Sequence, residues 1–179
     1  MSNQLEKKNE IPHFNSVQLN LVTFVDVRKA NATQTLNDCL YMMDNSVDCK
    51  GQGTANLQTT CKQGQTINWI IYAMDMDMLP NGTWPPSVRI NNIVFLSEDG
   101  EDVADIKVCS EFKVYGPPDK IRSPLTPVYY YWAGTVLSDL NPGVYYYRFI
   151  IELDQEGTNK KLYLNTVGKP SLNVIKVSD

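Results

Sequence analysis

The stretch that decides the fold runs from residue 51 to residue 95 and begins Gly51-Gln52-Gly53-Thr54-Ala55-Asn56-Leu57. A second turn, Lys62-Gln63-Gly64-Gln65, leads into residues 66–78, the longest alternating run in the chain. Successive side chains of a strand point to opposite faces, and period-two alternation between Gly, Pro and Asn residues predicts a strand–turn–strand system. One face of the long run holds four apolar residues, Ile67, Trp69, Ile71 and Ala73, and we predict that Trp69 is buried.

Short alternating runs continue outward from this stretch in both directions. Residues 17–27 form a run before it, and two aromatic runs, residues 128–132 and 144–151, flank the turn Asn141-Pro142-Gly143 after it. Helical periodicity is almost absent, which allows at most one short helix, placed around residues 33–37. Strands separated by turn signals predict an all-β fold, a two-sheet antiparallel β-sandwich of the jelly-roll-like kind.

Length and charge bound the class of protein. A chain of 179 residues predicts one domain, with residues 1–15 as a flexible N-terminal arm and residues 16–179 as a single β-sandwich domain. The formal net charge of −4 gives no electrostatic reason to expect a nucleic-acid partner. Residues 1–10 are polar, and no run of about 18 apolar residues occurs, so we expect a cytoplasmic protein without a membrane partner.

Four cysteines fit a cytosolic chain. They form no CxxC pair, and we predict reduced thiols that pack as small hydrophobic side chains. The alternative is a disulfide between Cys49 and Cys61. The four are Cys39, Cys49, Cys61 and Cys109.

The sequence contains no recognisable catalytic constellation. Nucleophilic catalysis on the Ser–His–Asp or Cys–His plan needs a base, and His13, the single histidine, lies in the predicted arm. No GxGxxG or Walker pattern occurs either. We therefore predict no enzyme activity, no cofactor and no metal site. The alternative is a calcium site made by loops that bring carboxylates together, with the candidates Asp44, Asp48, Asp75 and Asp77.

Aromatic rings and methionines supply the candidate contact residues. Two neighbouring aromatic strands cannot bury every ring in one sandwich interior, so some rings should lie outside. Exposed aromatic rings favour protein interfaces and sugar stacking, and methionines form adaptable contact surfaces. The candidate interface or ligand residues are Tyr130, Trp132, Tyr146, Met74, Met76 and Trp84.

The glycine-paired turn at residues 51–57 and the following Gly64-Gln65-Thr66-Ile67-Asn68-Trp69 resemble the AidA/PixA inclusion-body protein family. Members carry a similar "GQGTxxL" turn followed by a "vGdxixW" strand, and residues 145–149 and 162–164 resemble their C-terminal part. The resemblance covers most of the chain from about residue 17 onward. It implies a bacterial protein, often under quorum control in host-associated species, that accumulates in the cytoplasm, and it carries over no catalytic residue.

Two function classes follow. The first is a non-enzymatic, self-associating protein of the inclusion-body type, a homodimer or larger assembly that accumulates in the cytoplasm and is linked to host association. The second is a lectin-like sandwich that binds a carbohydrate, with or without calcium. Fold alone does not separate them.

Overall fold

The structure is a computed structural model that describes residues 18–75, 86–97, 99–102, 106–116, 130–155 and 157–176. Within these ranges the chain forms eleven strands and one helix. In chain order the elements are β1 (Gln18–Asp26), α1 (Val27–Thr33), β2 (Leu40–Asp44), β3 (Cys49–Lys50), β4 (Gln58–Lys62), β5 (Thr66–Met74), β6 (Val88–Leu96), β7 (Lys113–Tyr115), β8 (Tyr131–Thr135), β9 (Gly143–Asp154), β10 (Lys161–Asn165) and β11 (Ser171–Ile175).

The first sheet, sheet 1, has the strand order β2-β1-β5-β8-β7. Its central strand β5 lies parallel to β1 and antiparallel to β8. Leu21, Trp69 and Trp132 are register partners on three neighbouring strands, so the pleat places their side chains on the same face. The long run predicted from the sequence is therefore the centre of a sheet.

The second sheet, sheet 2, is organised around β9. Strand β6 pairs with residues 146–153 of β9, while β11 pairs with residues 143–146 and β10 with residues 150–154. A strand has two edges, so β10 and β11 share the edge opposite β6 and act as one strand interrupted at residues 166–170. Strand β4 follows beside β11, and β3 beside β4.

Each sheet contains one parallel pair of neighbours, β1 with β5 and β4 with β11. The prediction of an all-β, two-sheet sandwich is confirmed, with the difference that each sheet is mixed and not purely antiparallel. Alternation in a sequence shows which side chains of a strand share a face. It does not show which strands are neighbours in the sheet or whether two neighbours run in the same direction. The connection from β1 to β5 passes through β2 and then through β3 and β4 of the other sheet, and it returns in the same direction.

The predicted short helix exists, at a different position. It spans Val27–Thr33, directly after β1, and not residues 33–37. Asp26 caps its N-terminus by accepting a hydrogen bond from the Lys29 backbone N–H at 3.1 Å. Gln34 ends it in the left-handed conformation at φ 56°. Asp26 therefore begins the helix, and the left-handed backbone at Gln34 ends it before residue 37.

One hydrophobic core joins the inner faces of the two sheets. Trp69 of β5 and Tyr147 of β9 are both fully buried and meet edge to face, with ring centroids 6.4 Å apart. Phe112 packs edge-on against the other side of Trp69 at 5.4 Å. All four cysteines are free thiols, and three of them, Cys39, Cys61 and Cys109, are buried, as expected for small hydrophobic side chains.

The turn at residues 51–57 holds the two sheets in register through close backbone contacts. Gly51 and Gly53 both have positive φ, 76° and 77°, which confirms that they are turn residues. The Gly53 N–H donates to the Met42 carbonyl of β2 at 2.7 Å. On the other side, a Cβ at Gly168 would lie 2.3 Å from the Ala55 carbonyl oxygen, so the β10–β11 break can approach this turn only because residue 168 has no side chain.

Replacing Trp69 with alanine should lower the free energy of unfolding by about 3–5 kcal/mol, because the substitution leaves a large cavity between the sheets. Urea midpoints measured by circular dichroism test this. Tyr147→Phe is the control, because it keeps the ring that packs against Trp69 and removes only the hydroxyl, so it should change stability by no more than about 1 kcal/mol. A Trp69→Ala midpoint equal to that of wild type would contradict the central position of this ring.

Gly168→Ala should destabilise the fold by about 1–3 kcal/mol, since the new methyl group collides with backbone that cannot move aside. Gly53→Ala is the comparison, because a Cβ there meets nothing within 4 Å and only the left-handed backbone is strained. We expect it to cost about 1 kcal/mol. In thermal melts, Gly168→Ala should therefore have a lower melting temperature than Gly53→Ala. Equal melting temperatures would argue against the close approach of residue 168 to the Ala55 backbone.

Candidate functional site

The outer face of sheet 1 is an apolar surface, called here the aromatic face. Strand β1 buries Leu21 and Val25 inside, so Val22 and Phe24 point outward between them. The same alternation places every second residue of the other four strands outside. The face consists of Met43, Val22, Ile70, Tyr131 and Tyr115 in one row, and Tyr41, Phe24 and Tyr72 in the next.

The first row crosses all five strands of the sheet. Its members are successive register partners, from Met43 on β2 to Tyr115 on β7. Strands lie about 4.8 Å apart, so the row is about 19 Å long. At its far end the rings of Tyr115 and Tyr131 stack at 4.8 Å with 13° between their planes. Both terminal residues, Met43 and Tyr115, are 42% exposed.

The second row lies one pleat further along the strands. Phe24 and Tyr72 stack with ring centroids 5.7 Å apart, and Tyr41 is the β2 neighbour of Phe24. All three rings are half-buried. Two stacked ring pairs in adjoining rows make one continuous apolar area, which is the kind of surface that marks an interaction site on a protein.

Polar residues border the aromatic face at one end. Asn20 of β1 and Asn68 of β5 are register partners beside the first row, and their side chains are joined by a 2.9 Å hydrogen bond. At the opposite end, Arg28 makes a bidentate contact with Asp75, with its shortest N–O distance at 2.6 Å. Asn68 is only 9% exposed, and the side chains of Arg28 and Asp75 are 15% and 10% exposed, so these polar groups are satisfied within the fold.

The outer face of sheet 2 differs from the aromatic face because it carries a cluster of charged side chains. Glu152 of β9 accepts a hydrogen bond from Arg89 of β6 and lies 3.5 Å from the Lys161 ammonium group of β10. Lys161 also contacts Asp154. Apolar side chains share this face, among them Ile150 and Tyr163, which is 55% exposed. Burying the ion pairs in an interface would cost desolvation free energy, so the charged end of the face is suited to water.

These contacts change the pKa values of the carboxyl groups. Burial alone would raise the pKa of Glu152, but its hydrogen bond and charge interaction with Arg89, together with Lys161, outweigh burial and lower it. The pKa of Asp154 is likewise lowered, since Lys161 and Ser87 outweigh the effect of burial. Both carboxylates are thus stabilised in their charged form by the fold.

The structure places two predicted interface residues toward the interior. The Tyr130 hydroxyl and the Trp132 indole N–H both donate to the Ile90 carbonyl at 3.1 Å, where β6 is irregular between Ile90 and Asn92. Their side chains are half-buried and pack against the core. Trp132 is the register partner of Trp69, so its side chain points to the same, inner face of sheet 1.

Of the other candidates, the structure describes Met74 and Tyr146. Met74 lies at the end of β5 on the side of the aromatic face, and Tyr146 lies on the outer face of sheet 2. The candidates Met76 and Trp84 lie outside the described residues, as do His13, Asp77 and the predicted arm. Among the four described candidates, Tyr130 and Trp132 are in direct contact, with the hydroxyl and the indole N–H 3.2 Å apart.

Sequence reasoning missed the residues that make the aromatic face. Met43, Val22 and Ile70 look ordinary in the sequence, and only strand order and register bring them into a row with Tyr131 and Tyr115. The available signal was the apolar residues at every second position opposite the predicted core face, such as Ile70 and Tyr72 in the long run.

The part of the chain that the structure describes contains no group of three or more His, Cys, Asp or Glu side chains placed to hold a metal ion. Of the proposed calcium ligands, Asp75 is paired with Arg28, and Asp44 accepts a hydrogen bond from Ser46. Within the same residues, no helix is long and apolar enough to cross a membrane.

Comparison with known proteins finds a family and a fold. Residues 17–161 match the model of a family described as a domain of unknown function, DUF8788. No curated protein sequence matches the chain significantly. A solved structure with the same fold is an inclusion body protein (PixA) from Burkholderia cenocepacia J2315, which has a TM-score of 0.60 and 12% sequence identity and matches over 88% of this chain and 94% of that one. The resemblance to PixA thus holds at the level of the fold.

Lowering the pH should destabilise the protein through Glu152 and Asp154. Because their pKa values are lower in the folded state than in the unfolded chain, their contribution is present above the ordinary carboxyl pKa of about 4 and is lost as the pH falls through the folded values. Urea midpoints from pH 7 to pH 3 measure the loss. Glu152→Gln should lower stability at pH 7 and flatten the acid slope, whereas Asp48→Asn, an exposed carboxylate outside this cluster, is the matched control. An unchanged slope in Glu152→Gln would contradict the assignment.

Proposed function

We propose, from the premise that this chain belongs to the DUF8788 family, that it is a non-enzymatic protein of the inclusion-body type that self-associates through the aromatic face of sheet 1. The observation that carries the proposal is the row of apolar side chains that crosses all five strands of sheet 1. The outer face of sheet 2 carries, among its apolar residues, the ion pairs of Arg89 and Lys161 with Glu152. The fold shared with an inclusion body protein supports this kind of function for the chain.

A second copy is the occupant that best fits the aromatic face. The face is the outside of a five-stranded sheet, and a second copy presents a sheet with the same right-handed twist, so the two surfaces can pack against each other. Two sheets pack face to face about 10 Å apart with their strands nearly aligned, which is the same geometry as in the interior of the sandwich. A two-fold axis is the commonest way to close such a pair.

The order of residues along the first row suggests how the two copies meet. Ile70 is its central member, with Met43 at one end and the Tyr115–Tyr131 stack at the other. A two-fold axis that runs parallel to the strands near Ile70 places the tyrosine stack of one copy over Met43 of the other. Sulfur–aromatic contacts are favourable, and the flexible methionine adapts to the rings.

We also propose that the protein accumulates in the cytoplasm. A homodimer that hides the aromatic face presents the charged outer faces of sheet 2 on both sides. The chain carries a formal net charge of −4, which is small enough for dimers to approach one another as inclusions form.

Light scattering coupled to size-exclusion chromatography tests self-association over a hundredfold dilution. The wild type should have the mass of a dimer or larger assembly, and a Met43→Glu, Tyr115→Glu double variant should be a monomer, since a charge would lie at each end of the row. Tyr163→Glu is the matched control, because Tyr163 is 55% exposed on the outer face of sheet 2, and it should keep the wild-type mass.

Two outcomes would reject the proposed interface. One is a wild-type protein that is monomeric at every concentration. The other is a double variant that assembles like the wild type while retaining its circular dichroism spectrum.

A further inference from the structure

A cleft of about 410 Å³ opens on the side of the sandwich near β2. Three segments form its walls: the connection from α1 to β2, the turn at residues 53–56, and the break between β10 and β11 at residues 167 and 168. It is separate from the first row of the aromatic face. The residues that matter to its chemistry are Asp38, Asn37, Tyr41, Thr54, Asn56 and Val167.

The two sides of the cleft differ in polarity. The half-buried ring of Tyr41 and the Val167 side chain, which is 63% exposed, provide apolar contact area. Asp38 supplies a carboxylate, and Asn37 and Asn56 supply amide groups. The Asn37 amide nitrogen lies 3.5 Å from the Asp38 carboxylate, so the acceptor and the donor stand side by side at the opening.

The polar residues are held in place by backbone contacts. The Asp38 carbonyl accepts from the Lys29 ammonium group at 3.0 Å and from the Tyr41 hydroxyl at 3.4 Å, while Asp38 itself has φ 53°. The Asn56 side-chain oxygen accepts from the Lys169 N–H at 2.9 Å, which leaves its NH₂ group as a donor. The contact between Gly168 and Ala55 fixes the floor. The groups are thus positioned before any ligand arrives.

We propose that this cleft is a binding site for a neutral saccharide. A pyranose ring has an apolar C–H face, which matches Tyr41 and Val167, and hydroxyl groups that donate to the Asp38 carboxylate and accept from the asparagine amides. A carboxylate at the opening disfavours anionic ligands, and the mixed lining disfavours purely apolar ones. The volume lies within the range of ordinary ligand pockets and suits one or two sugar rings.

The cleft is a different surface from the first row of the aromatic face, and it gives the alternative carbohydrate-binding function a location. Asp38 and Val167 do not belong to the aromatic face, so substitutions there change sugar binding without changing the mass in solution. Tyr41 borders both surfaces, and for this reason Asp38→Asn is the primary variant. Asparagine adopts the left-handed conformation readily, so the substitution removes the charge and preserves the turn.

Ligand-observed and ¹⁵N-detected NMR test the proposal with D-galactose, D-mannose, D-glucose and N-acetyl-D-glucosamine, each with and without calcium chloride. We expect saturable binding of at least one sugar, with chemical shift changes confined to residues 36–41, 53–56 and 167–168. Loss of one charged hydrogen-bond acceptor in Asp38→Asn should weaken that binding by about tenfold or more. Tyr41→Ala should abolish it, and Tyr41→Phe, which keeps the ring, should retain most of it.

Tyr163→Ala and Asp48→Asn are the matched controls, since each removes the same chemical group at an exposed position away from the cleft. The proposal is overturned if none of the four sugars binds, if the shift changes map elsewhere, or if binding survives in Asp38→Asn and Tyr41→Ala variants that retain the wild-type circular dichroism spectrum.

Discussion

The edge-to-face contact between Trp69 and Tyr147 is the constraint on which the rest of the structure depends. Each ring comes from the middle of the central strand of its sheet, and both are fully buried. Because Trp69 points inward, the pleat fixes the direction of every other side chain on β5 and, through register, of those on β1 and β8. Ile70 and Tyr72 must then point outward. The aromatic face is therefore a consequence of the same alternation that builds the core.

The outer faces of the two sheets differ in chemistry. Sheet 2 places Arg89, Lys161, Glu152 and Asp154 on its outer face as a cluster of ion pairs. Sheet 1 places methionine, isoleucine and stacked tyrosines there, and the two end members of the row, Met43 and Tyr115, are 42% exposed. The stacked rings stabilise the sheet as cross-strand pairs, while the apolar area that they leave in water is the basis of the proposed self-association.

Much of the fold was predictable from the sequence, and most of the candidate site was not. Alternation correctly identified Trp69 as buried, and the paired glycines correctly marked the turn at residues 51–57, because both signals are local. The direction of Trp132 and Tyr130 was not predictable, since it depends on which strand pairs with β8 and in which register. The same holds for the row from Met43 to Tyr115, whose members are far apart in the chain. Parallel neighbours were missed for the same reason: strand pairing is decided by long-range packing.

The position of Tyr41 links the two proposed activities. It is the β2 member of the second row of the aromatic face and also lines the cleft. A second copy that restricts the motion of the Tyr41 ring reduces the conformational entropy that is lost when a saccharide stacks on that ring. Self-association would then raise the affinity for the saccharide. Coupling of binding free energies is reciprocal, so a saccharide would then strengthen self-association by the same factor. Should the partner instead cover the ring, the sign reverses, and saccharide would dissolve the assembly. With either sign, the two proposals together predict that Tyr41 couples saccharide binding to self-association.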